Sequence, residues 1–189
     1  MRASIRSAII GFSLVCTAPS AVLAVDDIRG AFGMKLGDAL SDGDSRITEP
    51  AHSSRDAGLR YTFVPEHPFG ALNQYYVLVT PTTGKIYRIV AEGTFQSASS
   101  CEGELLALQE ALEGRYGPSD DNIGDAMVGS MTGIEVIRFG QSPRRIIATC
   151  VGVMREHRAT LTYIDDDLES RAKVERARMG QGDYDGLGL

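Results

Sequence analysis

Histidine is scarce in this chain: His52, His67 and His157 are the only three among 189 residues, and none stands in an H-E-x-x-H or H-x-H frame. Such frames bring two imidazoles to one metal ion, so no histidine-built metal centre is expected and the three read as surface residues. Cysteine is equally rare, with Cys16, Cys101 and Cys150 and no C-x-x-C spacing, which leaves out the usual zinc and dithiol redox frames. Basic residues are outnumbered, 19 Lys and Arg against 25 Asp and Glu, for a formal charge of −6. A chain without a basic field has no electrostatic means of holding nucleic acid or anionic lipid, so neither is expected as a partner. No internal period of about 20–50 residues signals a solenoid or propeller. The apolar stretch at 8–25 is broken by Gly11, Thr17, Pro19 and Ser20 and falls short of the roughly 20 apolar residues of a bilayer span.

That stretch reads instead as a secretory leader. Arg2 and Arg6 supply its positive end, 9–16 its apolar core, and Val22-Leu23-Ala24 a small-residue cleavage site. Cleavage is expected after Ala24, with the product in the periplasm or outside the cell and no stable membrane insertion afterwards. A lipid anchor on Cys16 is disfavoured, because Ser13-Leu14-Val15 does not place Leu first and a small residue directly before the cysteine. Removing 24 of 189 residues leaves 165, enough for one domain with a real core. The leader takes two basic residues and no acid, so 19 becomes 17 against 25 and the charge moves from −6 to −8. The expected division is a leader at 1–24, a single α+β domain at 25–180 and a flexible tail at 181–189.

Export leaves an even pair, Cys101 and Cys150, in an oxidising compartment, which reads as a structural disulfide. Closing a loop of this length is worth roughly 4 kcal/mol in the chain-entropy account.

Along the mature chain, 28–40 alternates apolar residues with glycines and suggests a short strand or extended edge. The polar stretch 41–58 reads as loop. Residues 59–64 and 75–80 are strand-like, Pro81-Thr82-Thr83-Gly84 is a turn, and 85–93 completes a hairpin. Over 99–117 Cys101, Leu105, Leu108, Leu112 and Tyr116 recur at helical spacing, with Ser99 and Glu102 as a candidate capping box and Gly117-Pro118 as the stop. Three strand-like runs follow, at 134–139, 146–154 and 159–164, with loops short enough for an antiparallel meander. From Asp165 a polar helix is expected, with Glu169 and Lys173 as an i,i+4 pair, Leu168, Ala172 and Met179 as a thin apolar line, and Gly180 as its end. The order is α+β: an antiparallel sheet of about five to six strands packed by one amphipathic helix, plus the polar C-terminal helix.

Three of these elements, FGMKLG at 32–37, TPTTGKIYRIVAEG at 80–93 and the helix that opens at Cys101 and closes in LEGRYG at 112–117, together resemble a loose group of uncharacterised secreted bacterial α+β proteins. The resemblance implies export and the fold, and it brings no catalytic, cofactor or metal residue to this chain.

Motifs that carry chemistry elsewhere fail here on their residues. Gly129-Ser130-Met131-Thr132-Gly133 has the glycine frame of a nucleophile elbow with Met131 where the serine must stand. Asp42-Gly43-Asp44 opens like a calcium loop but continues with Arg46 and lacks the closing glutamate. Asp165-Asp166-Asp167 fits a helix start better than a cation site, and Asp183 and Asp185 form no frame. Glu66 and His67 beside Pro65 are the nearest approach to an acid/base pair, and adjacency in sequence is not catalytic geometry. No catalytic residue, metal or cofactor is expected. The aromatic residues Tyr61, Phe63, Phe69, Tyr75, Tyr76 and Tyr87 concentrate in the first half of the sheet. Phe69, Tyr76 and Tyr87 are the candidate protein-binding surface, if the register leaves them on an open face. Arg144 and Arg145 form a basic spot at a strand entrance, where edge protection is the plain explanation. The function expected is that of a non-enzymatic envelope module that binds an envelope or secreted protein as an inhibitor, immunity factor or assembly accessory. The alternatives are a small hydrolase with a site built from loops and a binder of a small apolar ligand between helix and sheet.

Overall fold

The computed structural model describes residues 27–40, 47–51, 56–120, 134–153 and 155–185. The leader and its cleavage site, His52, the Asp42-Gly43-Asp44 turn and the 129–133 loop lie outside these residues. The fold is α+β, as the sequence implies: an antiparallel sheet with one helix on each face.

A two-residue hairpin, β1 (Gly30–Ala31) and β2 (Met34–Lys35), opens the described chain. It turns through Phe32 and Gly33, both at positive φ, and its Ile28, Met34 and Leu36 join the main core. Four strands then run as a meander, β3 (Ile47–Ala51), β4 (Leu59–Phe63), β5 (Gln74–Val79) and β6 (Ile86–Phe95). After helix α1 (Ala98–Tyr116), a second meander comprises β7 (Ile134–Phe139), β8 (Arg144–Val153) and β9 (Glu156–Asp165), and helix α2 (Asp166–Asp185) follows. The last strand of the second meander pairs with the last strand of the first, giving the seven-stranded order β3-β4-β5-β6-β9-β8-β7.

β3 is the strand that the sequence does not announce. It lies at the sheet edge, where it pairs only with β4 and tolerates Pro50, because a proline without an N–H is admissible where no second neighbour needs it.

α1 buries the stripe its spacing predicts, Cys101, Leu105, Leu108, Leu112 and Tyr116, against Ile146, Ala148 and Cys150 of β8 and Ala159, Leu161 and Tyr163 of β9. The Cys101–Cys150 disulfide links helix and sheet inside this layer. The cap sits two residues earlier than the sequence suggests: Ser97 is the N-cap, and its hydroxyl accepts from the Ser100 N–H at 3.1 Å. Gly117, at φ 81°, closes the other end.

α2 starts where β9 stops, because the Asp165 carboxylate accepts from the Leu168 N–H at 3.0 Å and satisfies an orphan donor of the first turn. It runs past Gly180 to Asp185, so the helix takes in the first part of the segment expected to be a tail. Of its thin apolar line, Leu168 and Ala172 are buried while Met179 is 53% exposed.

Candidate functional site on the second face of the sheet

The face opposite α1 is shaped by one irregularity. Leu78 of β5 pairs with Arg88 of β6, but the next residue, Val79, pairs with Ile86, so Tyr87 is an extra residue on its strand. A bulge of this kind turns two successive side chains to the same side. Tyr87 therefore packs with Leu78, Leu168 and Ala172 under α2, while Arg88 reaches Glu169 of α2 at 3.0 Å. Glu169 also holds Lys173 at 3.0 Å, the i,i+4 pair read from the sequence. Burial raises the Glu169 carboxyl, but the hydrogen bonds and charges of Lys173 and Arg88 outweigh it and hold the group below the ordinary carboxylate range.

Of the three aromatic residues expected on one surface, Tyr76 and Tyr87 lie on the second face and Phe69 on the α1 side. Tyr87 is 1% exposed, and burial pushes its phenol up to about 12. Phe69 is half-buried against the α1-side core, in the loop after β4, where its N–H donates to the Tyr75 hydroxyl at 3.0 Å. Only Tyr76 lies half-exposed on the second face. Its neighbours fix it: the hydroxyl donates to Glu92 at 2.8 Å, and the Arg60 guanidinium stands 3.5 Å from the ring centroid. Burial, then the bond to Glu92, pushes the Tyr76 phenol well above its usual range.

Beyond Tyr76 the register lays out two rows across the strands. Tyr76, Val90, Thr162, Ile147 and Arg138 form the first, and Gln74, Glu92, Thr160, Thr149 and Val136 the second. Thr162, Ile147, Arg138, Thr160, Thr149 and Val136 are half-exposed. α2 lies over the other end of this face, on β6, β9 and Leu78 of β5.

A search for related proteins among family models, curated proteins and solved structures found no match.

A cavity of about 420 Å³ lies between α2 and the bulge, open to solvent and lined by Asp56, Tyr87, Arg88, Glu169, Lys173 and Arg176 among others. A second, of about 280 Å³, lies near Ile28, Tyr116, Pro143 and Arg144. The second borders the layer between α1 and the sheet at Tyr116, and that layer holds the disulfide and the α1 stripe.

The other sequence candidates resolve into structural roles or stand apart. Glu66 and His67 are exposed on the loop after β4, and His157 sits half-exposed at the distal end of β9. Among the described residues no three His, Cys, Asp or Glu side chains gather as a metal site. Arg144 and Arg145 pair with Asp165 and Asp166, each at 3.1 Å, and Arg144 also donates to the Leu36 carbonyl at 3.3 Å. The basic spot thus ties the α2 start and the N-terminal hairpin to β8. Arg60, Arg88 and Glu92 carried no signal in the sequence, because their roles come from cross-strand register.

Proposed function

We propose that the chain is exported, is cleaved after Ala24 and acts in the periplasm or outside the cell as a non-enzymatic module that binds another protein through the open half of its second sheet face. Three observations are compatible with export: the leader-like first 24 residues, the disulfide between Cys101 and Cys150, and the lack, among the described residues, of a helix long and apolar enough to cross a membrane. The binding reading rests on one observation: a half-exposed face of alternating Thr, Val and Ile side chains is bordered by a tyrosine already held by Arg60 and Glu92. A Tyr–Arg anchor whose rotamers are fixed before contact loses little entropy on binding, and both residue types are enriched in interface centres. The partner that fits is a protein with a flat, mixed polar and apolar surface, for which an inhibitor, immunity or assembly role is the natural setting.

The test is capture of partners from the cell envelope by the tagged mature chain, run beside two folded variants. Thr160→Arg places a long charged side chain in the middle of the open rows, whereas Leu106→Arg alters the outer face of α1, where Leu106 is 65% exposed. A stoichiometric partner retained by Leu106→Arg and lost by Thr160→Arg supports the reading. Capture unaffected by Thr160→Arg, or no partner at all, overturns it.

A further inference from the structure

The cavity under α2 has a charge character opposite to that of the chain. Three cations face it, Arg88, Lys173 and Arg176, against two anions, Asp56 and Glu169, while the whole sequence carries −6. Glu169 is shared between Arg88 and Lys173, so one carboxylate serves two cations, and Arg176 makes no ion pair with a described residue. Arg88 adds a further feature: its Nε is buried and has no hydrogen-bond partner among the described residues. A guanidinium presents its donors in a planar fork that matches an oxyanion. Ala57 and Ala177 line the cavity beside these charges, with the almost fully buried Tyr87 behind them, and its size lies within the range of small-molecule sites.

We propose that this cavity binds a small ligand bearing an oxyanion, a phosphate or a carboxylate, held by Arg88, Lys173 and Arg176 with its apolar part against Ala57 and Ala177. Glu169 orients Arg88 and Lys173 and competes with the ligand for them. Asp56, which also lines the cavity, disfavours a second negative group, so the ligand carries a single anion. The site is separate from the open rows and does not depend on the protein-binding reading.

The experiment titrates the full chain from Val25 onward with inorganic phosphate and, in a second arm, with acetate, at low ionic strength against a chloride background, while backbone amide shifts are recorded. Saturable shifts around residues 87–88 and 169–177, with a dissociation constant of about 1 mM or tighter, are expected. A stronger response to phosphate identifies a phosphate-bearing ligand, and the reverse a carboxylate-bearing one. Arg176→Ala and Lys173→Met each weaken binding by about tenfold, because each removes one cationic contact. Both side chains are largely exposed, so these variants keep the fold. Glu169→Gln strengthens binding by removing the competing carboxylate. The proposal is overturned if neither anion gives a saturable shift, or if the shifts are the same in Arg176→Ala and Lys173→Met as in the parent chain.

Discussion

Cys101, on the first turn of α1, and Cys150, near the end of β8, are bonded with their Cα atoms 6.0 Å apart and 49 residues apart in sequence. Both are buried in the layer between helix and sheet. The bond fastens the connection between the two meanders onto the second of them, and it does so within the packing layer and not at the surface. Replacing both residues by alanine is expected to cost about 2–4 kcal/mol, chiefly by freeing the unfolded chain. Urea unfolding of the parent and the double variant measures this, and a midpoint that does not move would mean that the bond contributes nothing to stability.

The attachment of α2 is weaker by comparison. Its described side chains bury Leu168 and Ala172, while Val174 and Met179 are 51% and 53% exposed. The rest of its hold is polar, through Glu169 to Arg88, Asp166 to Arg145 and the Thr82 N–H donating to Glu175. Ala172→Glu places a carboxylate against Tyr87 and Leu78 and is expected to cost about 2–3 kcal/mol of α2 docking. Native-state hydrogen exchange is the check: α2 amides lose protection while those of α1, β8 and β9 keep theirs. A uniform loss across the sheet would show instead that α2 is integral to the main cooperative unit.

The Glu169 contacts also set a pH dependence. Its folded-state pKa is depressed, so its contribution is present above the unfolded value, ordinarily about 4.3, and is lost as pH falls through the lower folded value. Glu169→Gln should therefore be less stable than the parent by about 1 kcal/mol at neutral pH. The difference shrinks toward zero as the medium is acidified below the ordinary carboxylate range. Thermal melts of both chains across that range test it, and a difference that persists undiminished in acid would exclude the ionic explanation.

Local pattern alone was enough for α1, because a helix that packs on a sheet must repeat its apolar residues at three and four, and Cys101 to Tyr116 do. The hairpin around Pro81-Thr82-Thr83-Gly84, the second meander, the Cys101–Cys150 pair and the Glu169–Lys173 pair are equally local or combinatorially simple, and all are read directly from residue order. Three decisions belong to the tertiary structure. The pairing of β9 with β6 joins segments separated by α1 and two strands, and nothing in either strand names the other. The edge strand β3 gains its pairing from β4, not from a periodic pattern of its own. The bulge at Tyr87 depends on register between β5 and β6: a one-residue change of phase sends a side chain to the opposite face, so alternation alone could not tell that Tyr87 would be buried, that Tyr76 would stay half-exposed, or that Arg88 would reach α2. Composition and periodicity report which residues can be inside. Only the pairing of distant strands decides which face, and therefore which neighbours, each of them meets.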